Sequence, residues 1–272
     1  MIYVKNSFLS YNYPLDEADI CIMGVPFDYT SLNPGSRHGP VAIREALKLI
    51  EGYHHELNFD VFEKLKICDL GDIEVVPGSY ELTAERIKET IREVKEKNPE
   101  VFFLFLGGEH LISLPIIETL NPDTVVDFDA HTDLRRDYLG NEFSHATWAS
   151  HVVEGFNLVQ MGVRSFSKEE ENLMKKIEKN KISGKTYLTV DIDVFDPSVA
   201  PETGLPEPDG WDFSDFKNNL KELENELENG RLIGADVVEV SPHGFNSQTA
   251  VLAANVVKEI FSIVGYLDES RN

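Results

Sequence analysis

The chain has 272 residues and a formal net charge of -23 at pH 7, with 42% hydrophobic and 27% charged residues. This composition is typical of a soluble globular protein that is long enough to bury a large core. A chain this acidic repels phosphate backbones, so nucleic acid is not expected as a partner, whereas small cations would be attracted. Solubility, or adaptation to heat or salt, would explain the same excess of carboxylates.

The two cysteines, Cys21 and Cys68, lie in apolar runs, and no Cys-x-x-Cys motif occurs. Two buried thiols fit a reducing cytosol better than a disulfide-bonded secreted domain. The first six residues do not resemble a signal peptide, and the most apolar run, 101–106, is too short to cross a bilayer. We therefore expect a cytoplasmic protein without a membrane partner.

Short apolar runs alternate with amphipathic stretches along the whole chain. The expected strands are Ile20–Val25, 65–70, 101–106, Thr124–Phe128, 158–163, 187–192 and 233–240. The expected helices are 40–49, 82–97, 111–120, 146–154, 168–178, 213–227 and 249–264. This alternation predicts an α/β fold with one parallel sheet covered by helices on both faces. The chain has no internal repeat and no Gly/Ser linker, so residues 1–272 are expected to form a single domain.

Ligands of such a sheet bind at the carboxyl ends of the strands, and four polar motifs begin where an expected strand ends. In chain order they are Gly107-Gly108-Glu109-His110, Asp129-Ala130-His131-Thr132-Asp133, Asp191-Ile192-Asp193 and Glu239-Val240-Ser241-Pro242. His110 alone would be a weak signal, because a single histidine near a strand end is more often structural. Glu239 interrupts an apolar run, and a buried glutamate needs a base or a cation as partner.

The second and third motifs carry acidic and histidine side chains at every second position. In an extended chain this period places Asp129, His131 and Asp133 on one side, and it does the same for Asp191 and Asp193. Asp196, which follows the third motif and precedes Pro197, is typical of a turn-forming residue and not of a metal ligand.

Taken together, the motifs offer four carboxylates and two imidazoles: His110, Asp129, His131, Asp133, Asp191 and Asp193. So many carboxylates in one place are unfavourable without a compensating cation, although a hydrogen-bonded turn is the alternative for the second motif. The number of ligands suits two divalent ions with bridging carboxylates. Their mixture favours Mn²⁺, with Mg²⁺, Fe²⁺, Co²⁺ or Zn²⁺ as alternatives. The summed charge of such a site favours a cationic substrate over an anionic one.

These motifs, in this order, are similar to those of the arginase–agmatinase family of ureohydrolases. Further similar segments are Pro34-Gly35-Ser36-Arg37-His38-Gly39-Pro40, Ala42-Ile43-Arg44, Asp69-Leu70-Gly71-Asp72 and the run 200–208. The resemblance covers nearly the whole chain. It implies a three-layer αβα fold whose central, mostly parallel sheet has about eight strands. It also implies two Mn²⁺ per subunit, a homo-oligomer (trimer or hexamer), and hydrolysis of a small cationic guanidino compound to an amine and urea.

The resemblance assigns a role to each candidate residue. One manganese would be held by His110, Asp129, Asp133 and Asp191, and the other by Asp129, His131, Asp191 and Asp193. Asp193 would pass a proton from the attacking hydroxide to the leaving amine, and His145 would carry protons at the mouth of the site. Glu239 would pair with the guanidinium of the substrate. A histidine near a helix N-terminus, without a catalytic role, is the alternative for His145.

The loop of residues 134–144 is similar to that of microbial agmatinases and lacks the features with which arginases bind the amino acid head of arginine. Agmatine, which would give putrescine and urea, is therefore the expected substrate. The segment 243–249 departs from the agmatinase pattern, because it is one residue shorter and has no aspartate.

Other substrates and other functions stay open at this point. Arg135 and Arg136 could bind a carboxylate, which would suit guanidinobutyrate, unless they pair with nearby acids such as Asp137 and Glu142. Arginine and aminopropyl-agmatine are further alternatives. A deacetylase of the same superfamily would bind a single zinc, and a non-catalytic relative would bind metal without turnover. The number of bound ions would separate the deacetylase from the ureohydrolase.

Overall fold

The computed structural model of the protein describes residues 12–227, 231–244 and 247–271. Its strands are β1 (Ile20–Val25), β2 (Tyr53–His54), β3 (Phe59–Asp60), β4 (Ile67–Asp72), β5 (Phe102–Gly107), β6 (Thr124–Phe128), β7 (Asn157–Met161), β8 (Lys185–Asp191) and β9 (Arg231–Val238). Strand β1 and strands β4 to β9 form one parallel sheet in the order β4-β1-β5-β9-β8-β6-β7. Strands β2 and β3 pair in a separate antiparallel ribbon. A parallel sheet of seven strands agrees with the fold expected from the sequence.

Helices cover both faces of this sheet. They are α1 (Gly39–Leu47), α2 (Val61–Lys64), α3 (Tyr80–Lys97), α4 (Ser113–Leu120), α5 (Trp148–Gly155), α6 (Glu171–Ile177), α7 (Phe213–Glu226) and α8 (Gln248–Arg271). One hydrophobic cluster joins the sheet to α1, α2, α7 and α8, and a second joins it to α3, α4, α5 and α6. Alternate residues of β1 enter the two clusters, as expected for a strand covered on both faces. The fold therefore has three layers.

Three strands end before the position expected from the sequence. Strand β9 ends before Glu239, whose φ of 62° lies in the left-handed region, and β7 ends before Gly162, whose φ is 95°. Strand β8 ends at Asp191, because Ile192–Val194 form a 3-10 turn. An apolar run extends past each of these strand ends, so composition alone could not locate them.

Helix α8 contains a segment, Gln248–Tyr266, that is long and apolar enough by length and composition to cross a membrane. Within the fold, 61% of this segment is buried, and the helix packs on α1, α2, α7 and β9. Its apolar character is therefore accounted for by core packing. Cys21 and Cys68, which are paired in register on β1 and β4, are both free and buried.

A buried ion pair ties α1 to the end of β4. Arg44 donates from Nε and Nη2 to the two carboxylate oxygens of Asp69, at 2.8 and 3.0 Å, and it also pairs with Asp72. Arg44 and Asp69 are 7% and 3% exposed. These three residues lie in two of the outlying segments that resemble the arginase–agmatinase family, and their contacts are structural.

We expect Arg44→Met to lower the free energy of unfolding by about 3–5 kcal/mol, because it leaves the Asp69 carboxylate buried without its cation. Denaturation in guanidinium chloride would measure the change. Arg86→Met is the matched control, since Arg86 forms an exposed pair with Glu74 and its loss should change stability by less than about 1 kcal/mol. Equal stability of the two variants would contradict the structural role of the buried pair.

Candidate metal centre and substrate cavity

The four polar motifs follow β5, β6, β8 and β9, which are consecutive neighbours in the middle of the sheet. Because these strands are parallel, their carboxyl ends meet at one edge, where ligands of such sheets bind. The structure thus brings together all six residues that the sequence indicates as metal ligands: His110, Asp129, His131, Asp133, Asp191 and Asp193.

The first group of ligand atoms surrounds the Nδ1 atom of His110. This atom lies 3.1 Å from Oδ2 of Asp129, 3.2 Å from Oδ2 of Asp191 and 3.7 Å from Oδ2 of Asp133. Potential ligand atoms of His110, Asp129 and Asp133 all lie within 4.8 Å of one another. Nδ1 of His110 and Oδ2 of Asp129 are buried and accept or donate no hydrogen bond within the described part of the chain.

The second group adjoins the first and shares Asp129 with it. Nδ1 of His131 lies 2.9 Å from Oδ2 of Asp193 and 3.6 Å from Oδ1 of Asp129, and the three residues could hold one ion. The other ring nitrogen of His131 faces Oε1 of Glu207 at 3.4 Å. This contact is not a hydrogen bond, and Nε2 of His131 is buried without a hydrogen-bond partner in the described part of the chain.

The electrostatics of these groups fit divalent cations. Burial and the carboxylate of Asp129 raise the pKa of Asp133 to about 8, and burial together with neighbouring aspartates also raises the pKa of Asp191 and Asp193. Carboxylates crowded in this way resist ionisation unless a cation compensates their charge. A hydrogen-bonded turn explains one oxygen of Asp129, which accepts the backbone N–H of His131 at 2.6 Å. It leaves the other oxygen without a partner, so the residues fit a metal centre better than a simple turn.

The predicted alternation in an extended strand is wrong for Asp133 and Asp193. Residues 129–133 follow the end of β6, and Asp133 has a φ of 49° in the left-handed region. In the third motif the 3-10 turn Ile192–Val194 brings Asp193 back beside Asp191, whose Oδ1 accepts the backbone N–H of Asp193 at 2.8 Å. Turns, not pleats, therefore direct the carboxylates to one point.

A buried hydroxyl network lies behind His110, and sequence reasoning did not find it. Asp236 of β9 accepts hydrogen bonds from the hydroxyls of Ser113, Tyr187 and Thr189. The oxygen of Thr189 lies 2.8 Å from Nε2 of His110. Because Thr189 gives its single proton to Asp236, its oxygen can only accept the Nε2–H of His110. The lone pair of Nδ1 is then left to face the carboxylates, as a metal ligand requires.

We expect Thr189→Val to weaken binding of Mn²⁺ by about 10–100-fold, the usual effect of removing such a supporting hydrogen bond. Isothermal titration calorimetry on chelator-treated protein would measure it. Thr186→Val, on the same strand, is the matched control, because the Thr186 hydroxyl donates to the carbonyl oxygen of Gly184 and takes no part in the network behind His110. Unchanged affinity in Thr189→Val would show that the network does not orient His110.

The candidate metal ligands open onto a cavity of about 350 Å³. Glu239 and His145 line it, together with His131, Asp133, Asp191 and Asp193. The left-handed backbone of Glu239 turns its side chain back, so that Oε1 accepts the backbone N–H of His110 at 2.8 Å. Burial and the nearby Glu109 raise the pKa of Glu239 to about 8. A cation bound beside Glu239, at the inner end of the cavity, would lower this pKa and pair with the ionised carboxylate.

His145 lies at the side of the cavity, three residues before α5, and its ring contacts Tyr138 edge to face at 5.1 Å. Burial, the largest cause, lowers the pKa of His145 to about 4, so the ring is neutral at pH 7. His145 is thus inside the candidate site.

The arginines of the loop 134–144 are placed differently from the expectation. Arg135 lines the cavity, but its Nε lies 3.8 Å from Oε2 of Glu170, so its partner is neither Asp137 nor Glu142. Glu170 is far away in sequence, and folding of α6 against this loop brings it close. Arg136 is exposed and lies outside the cavity lining.

The remaining predictions concern a turn and one segment. Asp196 accepts the backbone N–H groups of Ser198 and Gly210, which confirms that it forms a turn. The segment 243–249 is described only in part, since residues 245–246 lie outside the described residues. Of the rest, Ser247 and Thr249 bond to Glu202.

Comparison with known proteins agrees with this geometry. The model of the arginase family matches residues 18–183 and 171–262. The agmatinase of Pyrococcus horikoshii is 37% identical in an alignment that covers 92% of this chain and 93% of that protein. The N(1)-aminopropylagmatine ureohydrolase of Thermococcus kodakarensis is 35% identical, over 92% of this chain and 93% of that protein. The crystal structure of agmatine ureohydrolase of Thermoplasma volcanium superposes with a TM-score of 0.84 at 26% identity, over 98% of this chain and 97% of that one. The chain therefore belongs to the arginase family.

Proposed function

We propose that this chain is a ureohydrolase with two divalent metal ions, which cleaves agmatine to putrescine and urea. The observation that carries the proposal is the pair of adjoining ligand groups that share Asp129 and open onto a cavity with Glu239 at its inner end. The agmatinase relatives that match almost the whole chain support the same reaction.

The six candidate ligands would hold the two ions, and the mixed carboxylate and imidazole donors suit manganese. When bound, such ions supply hydroxide near neutral pH and stabilise developing negative charge. Glu239 would hold the guanidinium by charge-assisted hydrogen bonds, which fixes its carbon next to the ligand groups. Asp193 would pass a proton to the leaving amine, and His145 would carry protons at the mouth of the cavity.

The cavity favours a substrate without a carboxylate. Arg135 is its one lysine or arginine within the described ranges, and that guanidinium already faces Glu170. The outer wall includes Leu32, Phe166 and Leu205, which would contact the methylene chain of agmatine. A carboxylate at the far end of guanidinobutyrate or arginine would have to compete with Glu170 for Arg135.

The test is urea release by Mn²⁺-loaded protein, with agmatine, aminopropyl-agmatine, guanidinobutyrate and arginine assayed side by side. We expect kcat/KM to be highest for agmatine. A preference for aminopropyl-agmatine would keep the reaction but extend the substrate, in line with the relative from Thermococcus kodakarensis. Urea from guanidinobutyrate alone would give Arg135 a substrate role, and no urea from any of the four would refute the proposal.

Three further predictions belong to this proposal. The chain would act as a single ureohydrolase domain, it would assemble as a trimer or hexamer, and it would work in the cytoplasm on a small cationic guanidino compound, without nucleic acid or membrane partners. Light scattering of the purified protein would measure the assembly.

A further inference from the structure

The contact between Glu109 and Thr30 has no part in the reaction proposed for the cavity. The side chain of Glu109, which is fully buried, points away from the ligand groups and toward the loop that follows β1. Its Oε2 accepts the backbone N–H groups of Thr30 and Ser31, at 2.9 and 3.2 Å, and its Oε1 lies 2.8 Å from the hydroxyl of Thr30. Three donors from one short loop therefore converge on this carboxyl group.

The same hydroxyl of Thr30 also holds His145. Its oxygen accepts the backbone N–H of His145 at 3.0 Å and lies 3.2 Å from Nδ1 of the ring. Thr30 thus stands between a buried carboxylate and the histidine that lines the cavity, and it contacts that histidine at both its backbone and its ring.

A count of donors and acceptors fixes the direction of these bonds. A hydroxyl has one proton to donate and two lone pairs to accept with. Burial raises the pKa of Glu109 to about 7, whereas the hydrogen bonds from Thr30 and Ser31 act to lower it. The three donors all favour the ionised carboxylate, and a charge-assisted bond to it is the stronger use of the Thr30 proton. The two lone pairs of Thr30 are then filled by the backbone N–H of His145 and by an N–H at Nδ1. A ring that is neutral and carries its proton at Nδ1 has a bare Nε2.

From this geometry we infer that Thr30, held by Glu109, is a positioning residue that keeps His145 in the tautomer protonated at Nδ1. The bare Nε2 is then free to take a proton and to deliver it within the cavity. The inference rests on the proposed role of His145 in proton transfer, and it gives a role to two residues, Thr30 and Glu109, to which the sequence assigned none.

Solid-state ¹⁵N NMR of histidine-labelled protein loaded with diamagnetic Zn²⁺ would test the tautomer directly. The His145→Ala difference spectrum would assign the two ring nitrogens of His145. We expect a protonated Nδ1 and an unprotonated Nε2 in the natural protein, and a shift toward the other tautomer in Thr30→Val. A proton at Nε2 in the natural protein would overturn the inference, whether or not the protein releases urea.

Kinetics would show whether the tautomer matters. Thr30→Val keeps the shape of the side chain but removes the hydroxyl, so we expect kcat for urea release to fall about 10–1000-fold, which is part of the roughly 10²–10⁴-fold that a positioned acid or base contributes. KM should change by less than about threefold, and Thr30→Ser should recover most of kcat. A change in KM alone, or equal loss of kcat in Thr30→Ser and Thr30→Val, would overturn the positioning role. No urea from the natural protein would refute the proposed function while leaving the NMR result valid.

Discussion

Asp193→Asn is expected to reduce urea release about a thousandfold. Asp193 contributes Oδ2 to the second ligand group, 2.9 Å from Nδ1 of His131, while its Oδ1 accepts the backbone N–H of Ala130 at 3.1 Å. An asparagine keeps the second contact through its amide oxygen but removes the charge and one ligand atom. Metal ions in such sites contribute several kcal/mol to catalysis, and about 1.4 kcal/mol corresponds to a tenfold change in rate.

Asp196→Asn is the matched control, because it makes the same chemical change three residues further along the chain. The Asp196 carboxylate accepts backbone N–H groups of a turn and takes no part in either ligand group. Urea release by this variant should stay within about threefold of the natural protein. Metal content, measured by mass spectrometry, should fall in Asp193→Asn alone, and equal rates for the two variants would rule out a role for Asp193 in the site.

Glu239→Gln is expected to lower kcat/KM for agmatine about 100-fold or more. The variant removes the negative charge at the inner end of the cavity but keeps the acceptor for the backbone N–H of His110. Loss of one partner of a buried, hydrogen-bonded charge pair typically costs about 2–5 kcal/mol. Steady-state kinetics over a range of agmatine concentrations would measure the change.

Glu170→Gln provides the comparison for that variant. Glu170 also lines the cavity, but its two oxygens already accept from the hydroxyl of Thr132 and the backbone N–H of Ser167, at 2.8 and 2.7 Å. We expect less than about a fivefold change in kcat/KM for agmatine. If Glu170→Gln lost more activity than Glu239→Gln, the cation would be recognised at the mouth of the cavity instead of at its inner end.

The layers of the fold and the convergence of the six candidate ligands could be predicted from the sequence for a physical reason. Strands that are covered on both faces form continuous apolar runs, and a polar motif at the end of such a run marks the edge of the sheet where ligands bind. The strand order could not be read in the same way. Strand β9, near the end of the chain, lies between β5 and β8, and this crossover places Glu239 against His110.

The supporting residues were harder to predict, because their contacts join distant parts of the chain. Thr30 is a common residue in a loop, and nothing near it in sequence indicates a bond to Glu109 or to His145. Asp236 did carry a signal, since an aspartate inside an apolar strand is buried and must find partners. Its partner Thr189, on the neighbouring strand β8, becomes apparent only when the register of the two strands is known.

The central claim, that two divalent ions at the shared Asp129 make this chain a ureohydrolase, is tested most directly by metal titration. Urea release from agmatine would be followed while Mn²⁺ is added to protein treated with a chelator. The proposed site predicts no urea from the metal-free protein and a rate that saturates when two ions are bound per chain. Full activity in the chelator, or saturation at one ion per chain, would contradict it.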